Sequence, residues 1–198
     1  MSIEYEVKVI DIDESKMKKL IKKLGAKKEY SKRLLTRTLF DIPNGFIRVR
    51  NEGDTVTITN KIRKDKFPIE NEITIKEDYN SGVNFIKSLG FKPRSTQESY
   101  REKWNHKLAH EITFDNVPGI PTYMEIDCTS EENLNKLIEL FEIDKSKIRY
   151  GSFDKLYEEY YGIDTNTINK AKSLTFDNIL KEIKPKKNKK LLEKIAKK

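Results

Sequence analysis

In 198 residues the chain has one cysteine, Cys128, two histidines and eight glycines. A lone cysteine cannot close an internal disulfide, and Cys128 falls in a strand pattern, which fits a packed thiol in a reducing cytoplasm. No partner near it in sequence marks it as a nucleophile. His106 and His110 are four apart, but Lys107-Leu108-Ala109 between them reads as a hairpin rather than a helix face, so a histidine metal site is not indicated and surface histidines are expected. No glycine belongs to a GxxxxGK[ST] loop or to a GxGxxG following a strand, which excludes a glycine cradle for phosphate. No run approaches the roughly 18 apolar residues of a membrane span. The acidic, β-patterned N-terminus carries no visible secretory signal.

Charge is what the chain has in quantity. Forty Lys and Arg stand against 32 Asp and Glu, for a net charge of +8. After Ile183 eight lysines face Glu193 alone, so the end of the chain holds +7 of that charge and the body is nearly neutral. A nearly neutral body argues against a general nucleic-acid footprint and confines any attraction for a polyanion such as RNA to the tail.

Turn signals and periodicity divide the chain into short elements. Ile3–Val9 alternates apolar and charged residues as a strand does. Asp13 caps a helix carrying Met17, Leu20, Ile21 and Leu24, which Gly25 stops. Strands are expected at Leu34–Phe40, Phe46–Arg50, Thr55–Arg63 and Ile69–Lys76, then a short helix at Asn84–Leu89. Glu98–Trp104, Ala109–Phe114 and Thr122–Cys128 complete eight strands, compatible with a closed or nearly closed barrel. Ser130 and Ser152 open two further helices, with Tyr157, Tyr160 and Tyr161 in packing roles. Beyond Gly162 the composition turns polar, with Leu174, Phe176, Ile179 and Leu180 as the last docking residues, and the Lys-rich end is expected to fray or to be helical only conditionally. The division is therefore a domain at 1–176 and a tail at 177–198.

Parity along the strands sorts the charges. Glu4, Glu6 and Lys8 share one face of the first strand, opposite Ile3, Tyr5, Val7 and Val9. Arg48/Arg50, Lys61/Arg63 and Arg101/Lys103 make three basic faces. Glu70/Glu72, Glu111/Asp115 and Glu125/Asp127 make three acidic ones. A solvated sheet face would mix Ser, Thr, Gln and scattered charges. Faces sorted by sign, if turned inward together, compensate one another and suit a divalent cation on carboxylates beside a phosphate chain on Arg forks.

These residues carry a family resemblance. Glu4-Tyr5-Glu6-Val7-Lys8 resembles the ExExK signature of the CYTH, or triphosphate tunnel metalloenzyme, superfamily. In the family's order follow Ile47-Arg48-Val49-Arg50, similar to its RxR strand, Thr57-Ile58-Thr59-Asn60-Lys61, similar to its LTxK strand, and Thr122-Tyr123-Met124-Glu125-Ile126-Asp127, similar to its closing FxEIE strand. Pro118-Gly119-Ile120-Pro121 and Ser152–Gly162 also look like its bacterial and viral-type members. The chain departs from the pattern at Asp127, where Glu is usual, and at Arg37-Thr38-Leu39-Phe40-Asp41, which lacks the familiar acidic and Tyr positions.

The resemblance implies an α+β fold, a closed antiparallel eight-stranded tunnel with flanking helices, binding a triphosphate-containing small molecule with Mg2+ or Mn2+. By position it implies metal ligands at Glu4, Glu6, Glu125 and Asp127, and phosphate contacts at Lys8, Arg48, Arg50, Lys61 and Arg101. Arg63 and Lys103 are further phosphate candidates, with Glu72, Glu111 and Asp115 as second choices in the site. Lys8 and Glu6 would carry the chemistry. Three functions follow: a metal-dependent triphosphatase, of inorganic tripolyphosphate or of a nucleoside or other organic triphosphate, as in thiamine triphosphatase-like members; a class IV-type adenylyl cyclase; or a polyphosphate- or nucleotide-binding module without turnover.

Overall fold

Short strands with one apolar and one charged face need something to cover the apolar side, and the helices supply it. The computed structural model describes residues 2–64 and 67–196. The first strand is split in two, β1 (Ser2–Ile3) and β2 (Tyr5–Val9). The chain continues through α1 (Glu14–Lys23), β3 (Lys27–Ile42), β4 (Gly45–Asn51), β5 (Val56–Ile62), β6 (Ile69–Ile75), α2 (Tyr79–Ser88), β7 (Pro93–His106), β8 (Ala109–Asn116) and β9 (Tyr123–Cys128). It ends with α3 (Glu131–Leu140), β10 (Ile148–Arg149), α4 (Asp154–Tyr161), α5 (Thr165–Lys170), β11 (Ser173–Leu174), α6 (Ile179–Glu182) and α7 (Lys189–Ala196).

The fold is α+β, a curled antiparallel half-barrel with helices outside it. The strand order is β1-β6-β5-β4-β3-β7-β8-β9-β2-β10, and β11 pairs with β7 in parallel. The N-terminal segment thus meets both ends of the ribbon: Ile3 lies opposite Ile69, while Glu6 lies opposite Asp127 and Lys8 opposite Glu125. Between them the Glu4 N–H donates to the Pro68 carbonyl at 3.0 Å. Gly45 is required where β4 meets β5, because a Cβ there would stand 2.1 Å from the Lys61 carbonyl oxygen.

The apolar strand faces pack into two clusters under helices, and the C-terminal helices form a third that also lines the lumen. Val7, Val9, Ile112, Phe114, Met124 and Ile126 pack under Ile21 of α1 and Leu134, Leu137 and Phe141 near α3. Val49 and Val56 pack under Val83 and Ile86 of α2. Tyr157, Tyr161, Ile168, Ile179, Ile183 and Leu192 gather over Ile120 and Tyr123. With helices taking the apolar faces, the charged faces are left on the concave side.

Several elements differ from expectation. β3 begins at Lys27, because the polar run 27–33 pairs with β7 through two register irregularities that no alternation marks. α2 starts at Tyr79 with Asp78 as its cap. Ser152 does not cap α4; its hydroxyl instead bonds to Asp154. His106 is buried, edge-on to Phe141 with ring centroids 5.8 Å apart, and is not a surface residue. Leu174 and Ile179 dock as expected, Leu180 is exposed, and the Lys-rich end is docked and helical over Lys189–Ala196 rather than frayed. Ile179, Ile183 and Leu192 are buried, the Tyr161 carbonyl accepts from the Lys186 N–H at 2.9 Å, and Leu192 and Ile179 close on Gly119, whose φ is +78°. Lys197 and Lys198 lie outside the described residues. No helix among the described residues is long and apolar enough to cross a membrane.

Candidate active site

Parity places Glu4, Glu6 and Lys8 toward the concave side from the first strand, and the curl brings the other charged faces around them. Two cavities with shared walls result. One, about 260 Å³, is lined by Glu4, Glu6, Glu70, Glu72, Glu111, Glu125 and Asp127 against Arg48, Arg50, Lys61 and Arg101, with exposed His110 at its rim. The other, about 420 Å³, is lined by Lys8, Arg37, Arg63, Lys64, Arg94 and Lys155 together with apolar Leu39, Phe46, Val117, Phe153 and Ile168. Glu6, Arg48, Lys61, Arg101 and Glu125 line both. The lumen therefore carries charge in both halves, with an excess of carboxylates in one and an excess of cations beside apolar side chains in the other.

The charges at the junction hold one another. Lys8 Nζ is 2.8 Å from Glu125 Oε2 and 3.3 Å from Glu6 Oε1. Lys61 contacts Glu4 and lies 3.6 Å from Glu6 and 3.5 Å from Glu70. Arg101 grips Asp115 as a fork, with Nε–Oδ1 2.7 Å and Nη2–Oδ2 2.6 Å, and reaches Glu111 at 3.0 Å. Arg48 reaches Glu72 at 3.1 Å and Glu70 at 3.4 Å, and Arg50 contacts Glu52.

Proton affinities follow from who wins at each position. Burial raises Glu125, but Lys8 and Arg101 outweigh it and hold the carboxyl at about 2. Burial likewise opposes Arg50 and Arg48 at Glu72, and they hold it at about 2. Asp127 has no such rescue: burial, then Glu111, Glu6 and Glu125, push it to about 7. Glu4 is raised to about 9, chiefly by burial, which Lys61 only partly offsets. Burial lowers Lys8 less than Glu125 and Glu6 raise it, so it stays charged.

Of the residues expected at a site, Glu4, Glu6, Lys8, Arg48, Arg50, Lys61, Arg101, Glu125 and Asp127 all line this lumen. Arg63 is exposed at the wider cavity. Lys103 lines neither cavity and lies 3.2 Å from Glu111 and 3.5 Å from Glu29. Among the described residues no three His, Cys, Asp or Glu groups stand close enough to form a ready-made metal site. Lys8 and Lys61 stand among the carboxylates instead. Sequence reasoning missed Arg37, Gln97, Tyr123, Asp154 and Asn169, which line the wider cavity. For Gln97 and Tyr123 the signal was present, since they share parity with Arg101 and Glu125. For Arg37 a single charge among Leu35, Leu39 and Phe40 gave none.

The CYTH domain profile matches residues 2–160. The chain belongs to the CYTH family. Members of its superfamily are triphosphatases or cyclases and generally use divalent metals. No curated protein sequence matches this CYTH chain. Solved structures share its fold. The PH1012 protein from Pyrococcus horikoshii OT3 is 22% identical, with a TM-score of 0.62 over 74% of this chain and 94% of that one. A candidate adenylate cyclase from Vibrio parahaemolyticus is 12% identical, with a TM-score of 0.69 over 79% and 98%. The adenylyl cyclase candidate HpAC1 from Hippeastrum, whose structure is described as revealing a dominant triphosphatase activity, is 17% identical, with a TM-score of 0.51 over 80% and 94%.

Proposed function

We propose that this CYTH protein is a metal-dependent hydrolase of triphosphates, inorganic or at the end of a nucleotide or other organic group, working in a closed tunnel. The observation that carries the reading is the divided lumen, carboxylate-rich in one half and cation-rich in the other, with Glu6, Arg48, Lys61, Arg101 and Glu125 shared between them. Closure is supported by the first strand, whose two halves pair with β6 on one side and β9 on the other. The dominant triphosphatase activity ascribed to HpAC1 points the same way.

Glu4, Glu6, Glu125 and Asp127 offer hard oxygen donors, and the buried Asp127 Oδ1 has no hydrogen-bond partner, so the donor set fits Mg2+ or Mn2+. When bound, such an ion supplies polarisation of a phosphoryl oxygen and acidifies water. Lys8, Arg48, Arg50, Lys61 and Arg101 hold the phosphate oxygens and balance the charge that develops during transfer. Glu6, between Lys8 and Lys61, keeps both ammonium groups in the lumen. A phosphate chain that takes over these cations would free the carboxylates. Phosphate release from tripolyphosphate, ATP and other triphosphates, with Mg2+ or Mn2+, tests the reading; no release from any of them by folded protein overturns it.

A second reading, adenylyl cyclase, is favoured by the apolar lining of the 420 Å³ cavity, which suits a nucleoside. Chromatography of an ATP reaction separates the two: cyclic AMP marks the cyclase, ADP and phosphate the hydrolase. At the C-terminus, exposed Lys184, Lys186, Lys187, Lys189, Lys190 and Lys194 support, by charge alone, a contact with a polyanion such as RNA. A salt-dependent loss of RNA affinity on replacing them with glutamine tests it.

A further inference from the structure

Apart from Arg63, Lys64 and Lys155, which are exposed, the cations lining the lumen are compensated among the described residues, with one exception. Lys8, Arg48, Arg50, Lys61 and Arg101 each contact a carboxylate. Arg37, which projects from the middle of β3, has none among the described residues. Its Nε donates to Gln97 Oε1 at 3.1 Å, its guanidinium carbon lies 4.9 Å from the centroid of the Phe153 ring, and its Nη2 is buried with no partner. Burial, and then Arg48, Arg50 and Arg101 nearby, pull its proton affinity down to about 10. It remains charged at neutral pH, held in place by an amide on one edge and a ring on one face.

An uncompensated guanidinium at a low-dielectric position is costly unless something outside the protein completes it. The Gln97 contact fixes the Nε edge of the guanidinium, and Arg37 lines the same cavity as Lys8, Arg48 and Arg101. Across the sheet Arg37 stands opposite Arg50 on one side and Gln97 on the other. The missing partner is thus an oxyanion entering beside groups already suited to phosphate. We propose that Arg37 is a specificity-determining residue that binds a phosphoryl oxygen at the cation-rich end of the phosphate chain, and so sets the preference for three phosphates over two. The inference rests on the reading of the lumen as a triphosphate site. Pyrophosphate can lie wholly on Lys8, Arg48 and Arg101; a third phosphate reaches Arg37.

Calorimetric titration of tripolyphosphate and pyrophosphate at fixed ionic strength, in chelator, with wild type, R37M, R37K and F153L tests this. A charge-assisted hydrogen bond of this kind corresponds to roughly a 10- to 100-fold loss of affinity for tripolyphosphate in R37M. The loss for pyrophosphate should be about threefold or less, so the ratio of the two affinities falls. R37K restores only part of it, because an ammonium is a point charge without the fork. F153L removes the ring and keeps the charge, and should leave tripolyphosphate within about threefold of wild type. If R37M fails to melt cooperatively, R37K carries the test, with a smaller loss again confined to tripolyphosphate. Unchanged tripolyphosphate affinity in the folded variants overturns the proposal alone. So does an equal loss for both anions, or a loss in F153L as large as in R37M, since Arg37 would then serve only to pack the ring. Wild-type protein that binds neither anion in chelator nor with Mg2+ or Mn2+ added overturns the triphosphate reading as well.

Discussion

Replacing Lys8 with methionine should destabilise the protein in a pH-dependent way. Lys8 Nζ is buried between Glu125 Oε2 at 2.8 Å and Glu6 Oε1 at 3.3 Å. Methionine keeps most of the volume and removes the charge, leaving Glu125 with Arg101 and Glu6 with Lys61, each at the longer distance of 3.6 Å. Glu125 is held at about 2 against an ordinary value of 4.5, with Lys8 the largest stabilising influence on its charged form. At about 1.4 kcal/mol per tenfold change in proton affinity, that net difference, which Lys8 and Arg101 produce together against burial, corresponds to roughly 3 kcal/mol at neutral pH and sets the order of magnitude of the loss. Breaking a buried ion pair by deleting one partner costs about 3 to 5 kcal/mol by mutational precedent, in agreement.

The sign follows from linkage. A carboxyl with a depressed folded-state pKa contributes stability above its unfolded pKa and loses it as pH falls through the folded one. The deficit of K8M should therefore be fully developed at pH 6 to 7 and shrink below about pH 4.5. Urea unfolding of wild type and K8M in chelator, at several pH values, measures it. Equal stability at pH 7, or a deficit of the same size at every pH, would refute the assignment of Lys8 as the partner of Glu125.

E6Q should retain wild-type far-UV and near-UV dichroism yet lose metal-dependent phosphate release by roughly 10²-fold or more, as for deletion of a direct electrostatic contact. Y5D should instead lower the melting temperature sharply, because Tyr5 packs on the outer face with its ring 5.0 Å from that of Phe67; exchange of the two outcomes would mean that the strand register is wrong. Leu192→Ala should cost about 2 kcal/mol in denaturant unfolding, since Leu192 is buried beside Gly119. Truncation after Ile183 should lower the melting temperature for the same reason. Cys128, buried and with its thiol pushed up to about 12, should react with a disulfide reagent only at the rate of unfolding, and fast native-state labelling would contradict its place in the core.

What the sequence determined by itself was local: which side chains share a face and where two of the helices, α1 and α3, begin. Strand period is two whatever the fold, so Glu4/Glu6/Lys8, Arg48/Arg50 and Glu125/Asp127 could be grouped before any pairing was known. Side-chain caps act within three residues, so Asp13 and Ser130 were legible as helix starts. Runs without alternation were not legible. The N-terminal part of β3 is a strand only because β7 lies beside it, and the lysine-rich end is ordered only because Leu192 finds Gly119 across the fold.

The partners of the charges were likewise a matter of tertiary structure. Curl and register decide that Lys61 meets Glu4 rather than solvent, that Arg101 takes Asp115 as a fork, and that Lys103 is drawn to Glu29 and Glu111. They also separate a carboxylate-rich half from a cation-rich half, although acidic and basic strands are interspersed along the chain. Arg37 shows the physical reason most plainly. As a residue type it is one arginine among many, and what distinguishes it is that no carboxylate among the described residues reaches it once the sheet has curled, a property of three-dimensional distances that no spacing along the chain encodes.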